Sequence, residues 1–179
     1  MSLQITAASR LNSVEEYYFS KKLKQIAALK ESGVPIINLG IGSPDLAPSS
    51  ETIAALTESA ANPSHHAYQG YQGIPALREA FASFYAKHYG VTVNPASEIL
   101  PLIGSKEGIM HIAMAYLEKG DITLIPNPGY PTYSAACSLA GATVESYELS
   151  ASTGWLPDLE ALEKRDLSKV KIMWVNYPH

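Results

Sequence analysis

The sequence predicts an α/β fold: a mainly parallel sheet flanked by helices. Three observations predict it. From Glu98 onward, strand-like and helix-like segments alternate in the order β-α-β-α-β-α-β. The strand-like runs are mostly apolar throughout instead of alternating, the pattern of strands covered on both faces. The chain is also 46% hydrophobic and only 17% charged, which supplies the apolar surface for a real core.

The elements follow in order. Val14 to Lys30 is rich in straight-chain helix formers and is closed by Gly33 and then Pro35. Ile36 to Leu39 is a short strand-like run that ends in the loop Gly40-Ile41-Gly42-Ser43-Pro44-Asp45. Ser50 to Ala61 reads as a helix, with Ser50 as its cap and Glu51 in its first turn. Asn62 to Gly73 is a loop carrying two tyrosines, two histidines and two glycines. Ile74, Leu77, Phe81, Phe84, Tyr85 and His88 then recur at helical spacing up to Gly90. Glu98 to Ile103 is an apolar strand. Gly104-Ser105 opens a helix with an apolar stripe at Ile109, Ile112, Ala113, Tyr116 and Leu117. Asp121 to Pro126, Ala142 to Leu149 and Val170 to Val175 are strands. Pro131 to Ala140 and Pro157 to Lys164 are the helices between them.

Bulk properties exclude several classes. The 179 residues fit one ordinary domain or a piece of a larger one. The formal charge of -4 argues against a nucleic-acid binder, which would want a basic face. Cys137 is the single cysteine, so no internal disulfide forms, which fits a reducing compartment. The N-terminus lacks a signal-peptide pattern and no run is long and apolar enough for a membrane span, so the expected location is cytoplasmic. Asn62-Pro63-Ser64 carries the proline that forbids glycosylation. The histidines (His65, His66, His88, His111 and His179) show no metal-ligand spacing, and no Ser-His-Asp arrangement can be assembled.

Four motifs carry chemistry. Gly40-x-Gly42-x-x-Asp45 lacks the third glycine of a dinucleotide fingerprint; it is a tight turn, and one whose glycine lets a ligand approach the backbone. Gly104-Ser105-Lys106-Glu107 is a small-residue turn opening a helix, where unpaired N–H groups attract phosphate; Ser105 reads equally as a plain N-cap. Its glycine spacing is not that of a Walker loop, and Lys106 suits phosphate or solvent better than covalent attachment of a cofactor. Pro126-Asn127-Pro128-Gly129-Tyr130-Pro131-Thr132-Tyr133 is a proline-stiffened loop whose tyrosines form either a stacking platform for a flat ligand or part of the core. Tyr68 to Arg78 presents tyrosines in a glycine loop, and a phenol hydroxyl donates well to phosphate; Arg78 reads as a solvated or salt-bridged helix residue.

The ordered set resembles the class I/II aminotransferases of the fold-type I superfamily that uses pyridoxal 5'-phosphate (PLP), from about Pro35 to Pro178. The resemblance implies the PLP-transferase large domain as the fold, with an N-terminal helical segment belonging to the smaller domain. Residues 1-45 would be the arm, helix and first strand contributed to that smaller domain, and 46-179 a partial PLP-binding large domain. Gly104, Ser105 and Lys106 would bind the cofactor phosphate. Tyr130 would stack on the pyridine ring and Gly42 would lie against the substrate carboxylate. Tyr68 would reach the cofactor phosphate of a neighbouring subunit, implying a homodimer with shared sites. The ring-oxygen asparagine of the family would follow His179, so Asn176 takes no such role.

The resemblance also marks what is missing. The family's covalent lysine, its pyridine-nitrogen aspartate and its substrate-clamping arginine have no counterpart in the chain, so no catalytic residue is assigned. The chain stops at the ligand-binding end of a strand, and a fragment is expected. The implied function is transfer of an amino group between an amino acid and a 2-oxo acid by the parent protein, with this chain alone inactive. A PLP-dependent β-lyase on the same scaffold, or a non-catalytic phosphate- or nucleotide-binding domain, are the alternatives. No metal is expected.

Overall fold

The computed structural model describes residues 5–13, 16–40, 42 and 44–177. Val14, Ile41, Ser43, Pro178 and His179, on which parts of the reading above fall, lie outside them. The chain divides into two compact units, one built of the residues before Glu16 together with those from Leu102 onward, the other of Glu16–Pro101.

The first unit holds the sheet. Strands β1 (Ile122–Asn127), β2 (Thr143–Glu148) and β3 (Val170–Met173) are all parallel and lie in the order β2-β1-β3. Helix α4 (Ser105–Tyr116) precedes β1, α5 (Pro131–Leu139) joins β1 to β2, and α6 (Leu159–Glu163) joins β2 to β3. The first crossover steps to one side of β1 and the second returns past it to the other. Right-handed crossovers therefore put α5 and α6 on opposite faces.

The core divides accordingly. On one face Ile109, Ala113 and Leu117 meet Tyr133, Ala136 and Cys137, with Ile125, Val144 and Ile172 packed beneath. On the other, Leu162 of α6 meets Leu124, Tyr147 and Leu149. Ala113 and Cys137 are fully buried, and such small residues let helices lie close. Leu124, at 2% exposure, contributes on the order of 2 kcal/mol of burial by itself. Val170 and Met173 share the α6 face although three residues apart. A register shift in the β1–β3 pairing, where Ile122 faces Val170 but Thr123 faces Ile172, makes Lys171 the extra residue and flips the alternation.

Asp121 ties the start of β1 to β3. Its carboxylate accepts the Glu118 N–H at 2.8 Å and the Lys171 ammonium at 3.0 Å. The Glu118 N–H chiefly, and then Lys171, hold the Asp121 carboxyl below its ordinary range, while Asp121 holds Lys171 above its own. A depressed carboxylate stabilises the fold above its unfolded pKa, and that contribution is lost as pH falls through the lowered value. The raised lysine contributes below its unfolded pKa, lost only as pH rises through the alkaline range. Melts of Asp121→Asn between neutral pH and about pH 3 are expected to show a shallower acid limb than wild type. An unchanged limb would show that other carboxylates govern acid unfolding.

The second unit contains α1 (Tyr18–Glu31), α2 (Ser50–Ala61) and α3 (Pro75–Tyr89). Helix α1 starts four residues later than the helix former content suggests, because Tyr17 is non-helical and offers no cap hydrogen bond. It ends as expected at Gly33, where Val34 N–H returns to Leu29 O. The cap of α2 is Ser49, whose hydroxyl accepts from Thr52 N–H, not the expected Ser50. Arg78, half-buried, donates to the Pro95 and Ala96 carbonyls and so pins the turn after α3. No described residue of α1, α2 or α3 is buried, and Leu77, Phe81, Phe84 and Tyr85 leave a stripe of α3 open.

Two expected strands do not form. Residues 36–39 and 98–103 join no ladder. Their apolarity signals a need for burial, but a strand also needs a partner edge, and side chains engage the backbone at or just past the end of each run. Asn38 Oδ1 accepts the Gly40 N–H and Glu107 accepts the Ile103 N–H, while Pro101 has none to give. Leu39 and Ile103 are 90% and 95% exposed. The remaining elements match their expected positions within one to three residues at each end.

Candidate functional site

The site is built at the carboxyl ends of the three strands, where open parallel sheets bind ligands. It begins with α4. Gly104 precedes the helix at φ 86°, ψ 161°, a conformation essentially reserved for glycine. Gly104 rather than Ser105 is thus the N-cap, and no side chain caps the helix there. The first N–H groups of the helix have no acceptor within it and sit at its positive end. Ser105 and Lys106 are exposed. Glu107, the acidic residue of this turn, bends back to accept the Ile103 N–H at 2.5 Å and faces His111 at 3.4 Å. The Ile103 N–H chiefly, with His111, lowers its carboxyl below the usual range. Its negative charge is therefore committed to the turn itself.

Tyr130 caps α5 in extended conformation, with Pro131 at the first helical position. The loop before it includes a cis Asn127–Pro128 peptide and Gly129, where any Cβ would collide with the Pro126 carbonyl. The Lys106 ammonium lies 5.8 Å from the centroid of the Tyr130 ring, so the first turn of α4 and the loop after β1 are neighbours. Tyr130 meets Tyr133 edge-on, at 5.8 Å and 83°. Tyr133 is buried, stacks on Trp174 at 5.0 Å and 17°, and donates its hydroxyl to Asn176 Oδ1 at 2.9 Å. Trp174 Nε1 donates to Cys137 Sγ at 3.3 Å, and Tyr147 donates to the Trp174 carbonyl at 2.6 Å. Asn127 Nδ2 donates to both oxygens of Glu148, at 2.8 and 3.0 Å, tying the ends of β1 and β2.

Gly104, Ser105 and Lys106, consecutive at the start of α4, are thus neighbours of Tyr130. Gly42 and Tyr68 belong to the other unit, where both are exposed, Tyr68 completely so. Of the two loop tyrosines, Tyr130 is half-buried with its ring toward Lys106, and Tyr133 is core. The support from Glu107, Tyr133, Trp174 and Asn176 is not visible in the motifs alone. The three-residue spacing of Tyr130 and Tyr133 at a helix start signals that they share a face. Trp174 has no such signal, since the bulge at Lys171 reverses its alternation.

A family model for aminotransferases of class I and II matches residues 34–179. The chain belongs to this family. An LL-diaminopimelate aminotransferase of Dehalococcoides mccartyi is 44% identical over 96% of the chain, and transaminase BacF of Bacillus subtilis is 38% identical over 99% of it. The chain spans 44% of the length of each of these relatives. The apo-BacF structure superposes with a TM-score of 0.89, covering 99% of the chain and 45% of BacF. A Thermus thermophilus aspartate aminotransferase gives 0.88 at 24% identity, a likeness of fold alone.

Family membership implies PLP, and the residues present fit it. A phosphate dianion needs donors in a convergent turn, and the N–H groups of the first helical turn after Gly104, with the Lys106 ammonium, are of that kind. A flat pyridine ring needs an aromatic face on a stiff support, and Tyr130 is held by Pro131 and by its T-shaped contact with Tyr133. Among the described residues, no group of histidine, cysteine, aspartate or glutamate is arranged to hold a metal ion, and no helix is long and apolar enough to cross a membrane.

Proposed function

We propose that this chain is the amino-terminal part of a PLP-dependent transaminase that moves an amino group between an amino acid and a 2-oxo acid. The observation that carries the reading is the juxtaposition of the Gly104 turn and Tyr130 at the strand ends of a class I/II aminotransferase chain. Gly104, Ser105 and Lys106 hold the cofactor phosphate, mainly through backbone N–H groups. Tyr130 supports the pyridine face and restricts its tilt. Gly42 receives the substrate carboxylate, and Tyr68, wholly exposed, reaches the phosphate site of a second subunit in a homodimer. Residues 1-45 join the smaller domain and 46-179 the larger, in the cytoplasm. Bound PLP supplies the electron sink that stabilises charge at the substrate α-carbon. The covalent lysine and its partners belong to the rest of a polypeptide of the relatives' length, since the chain spans 44% of them. Relatives named LL-diaminopimelate aminotransferase make that diamino acid the first donor to assay.

The test is an absorbance titration of the full-length protein with PLP, followed by addition of amino donors. A visible cofactor band that shifts on adding a donor, with 2-oxo acid as product, is expected. Pyruvate with a released thiol would move the protein to the β-lyases. Absence of any band would remove the cofactor reading.

A further inference from the structure

Tyr133 lies where three separate supports of the site meet. Its ring meets Tyr130 at a right angle, its face stacks on Trp174, and its hydroxyl reaches Asn176. These partners come from different parts of the fold: the loop after β1 and the segment after β3. Tyr133 itself stands in the first turn of α5, packed among Ile109, Ala113 and Cys137. It is 6% exposed, whereas Tyr130, Trp174 and Asn176, the groups it holds, are each only partly buried. From the opposite side of the sheet, Tyr147 holds the Trp174 carbonyl. The segment leading to Asn176 is therefore fixed from both faces by tyrosine hydroxyls, and only the Tyr133 one is also coupled to the ring that faces the ligand. Burial chiefly, with Tyr130 beside it, holds the Tyr133 hydroxyl above the ordinary phenol range, in keeping with its role as a donor to Asn176.

We propose that Tyr133 is a positioning residue of the cofactor cup, setting the plane of Tyr130 through their T-shaped ring contact and the seat of the Asn176 segment through its hydroxyl. The inference rests on the reading of Tyr130 as the support of the pyridine ring. It assigns Tyr133 no contact with substrate or cofactor. Separating the two functions of the side chain is simple: Tyr133→Phe removes the hydroxyl and leaves the ring contact, and Tyr133→Leu removes both.

The experiment uses the full-length transaminase, with PLP itself as the probe. Cofactor affinity is read by titration, and the orientation of the bound ring by circular dichroism in its visible band. Tyr133→Phe is expected to weaken PLP binding roughly threefold to tenfold, the worth of one hydrogen bond, and to alter the visible dichroism. Asn176→Ala should do the same, and the double variant should be no worse than either single one, because both remove one interaction. Tyr133→Leu should lose more affinity and further change the dichroism. Unchanged affinity and dichroism in Tyr133→Phe, with only a lowered melting temperature, would overturn the proposal and leave Tyr133 a core residue. Additive effects of Tyr133→Phe and Asn176→Ala would overturn the coupling through the hydroxyl. A wild type with no cofactor band would instead overturn the cofactor reading on which the inference rests, and is distinguished by being measured first.

Discussion

Replacing Gly129 by alanine is expected to be the most damaging single change in the site. The reason is steric, not conformational: a Cβ there would drive into the carbonyl oxygen of Pro126, with the Pro126 side chain close behind. Backbone cannot rotate away as a side chain can. Pro126 is moreover part of β1, in register with Tyr147 of β2, and is itself buried. Relief must come from moving the end of the central strand or the loop that carries Tyr130. Overpacking of this kind costs on the order of 1–3 kcal/mol, and here the displaced atoms are those that seat the ring support. Full-length Gly129→Ala should therefore melt lower and lose at least roughly tenfold in PLP affinity, since each 1.4 kcal/mol is about a factor of ten. Retention of wild-type affinity at an unchanged melting temperature would mean that the loop accommodates a methyl group without moving Tyr130.

Gly104→Ala is expected to be the next most damaging, for a different reason. Open space surrounds this glycine, so no clash arises. The cost is the backbone itself: φ 86° with ψ 161° is nearly closed to residues with a Cβ, at about 1–3 kcal/mol. Alanine would escape by rotating the turn, re-aiming the N–H groups of Ser105 and Lys106. Affinity for PLP and for inorganic phosphate should fall together, because the phosphate turn is shared. Gly90→Ala is the natural control. Gly90 ends α3 at φ 67°, ψ 18°, also without near neighbours, so it carries a backbone penalty but no role at the cup. It should lower stability and leave phosphate binding intact. Equal losses of phosphate affinity in both variants would show that general destabilisation, not the turn, is being measured.

The sheet region was largely legible before any coordinates. The apolar run at 122–127 and the more polar, Val- and Tyr-bearing run at 143–148, each followed by turn residues, are strands that pair with each other across a short crossover. The runs at 36–39 and 98–103 carry the same signal and remain unpaired, because apolarity states a need for cover without naming what covers it. Within the site, the residues that define a backbone shape were readable, since Gly104 and the proline loop announce turns by residue type. The residues that hold those shapes in place were not. Tyr133, Trp174 and Asn176 are joined by contacts 41 to 43 positions apart for the Tyr133 partners, and no local pattern encodes such a distance. Glu107 was readable as a helix residue, but its engagement with Ile103 depends on the turn at Gly104 being already formed.

The strand order has a consequence for synthesis. β1 lies at the centre, but its two neighbours arrive at different times. β2 is joined through α5 alone and pairs from Thr143 onward, whereas β3 begins only at Val170. At about 5–20 residues per second, a ribosome leaves the second edge of β1 bare for a second or more after the first is closed. During that interval the acceptor that the Thr123 hydroxyl finally donates to, the Ile172 carbonyl, has not yet been made, and the open edge of β1 can meet only water or a stranger's backbone. The unit that supports Tyr130 is thus built first, and the Trp174–Asn176 segment is added to it as a late-arriving clasp.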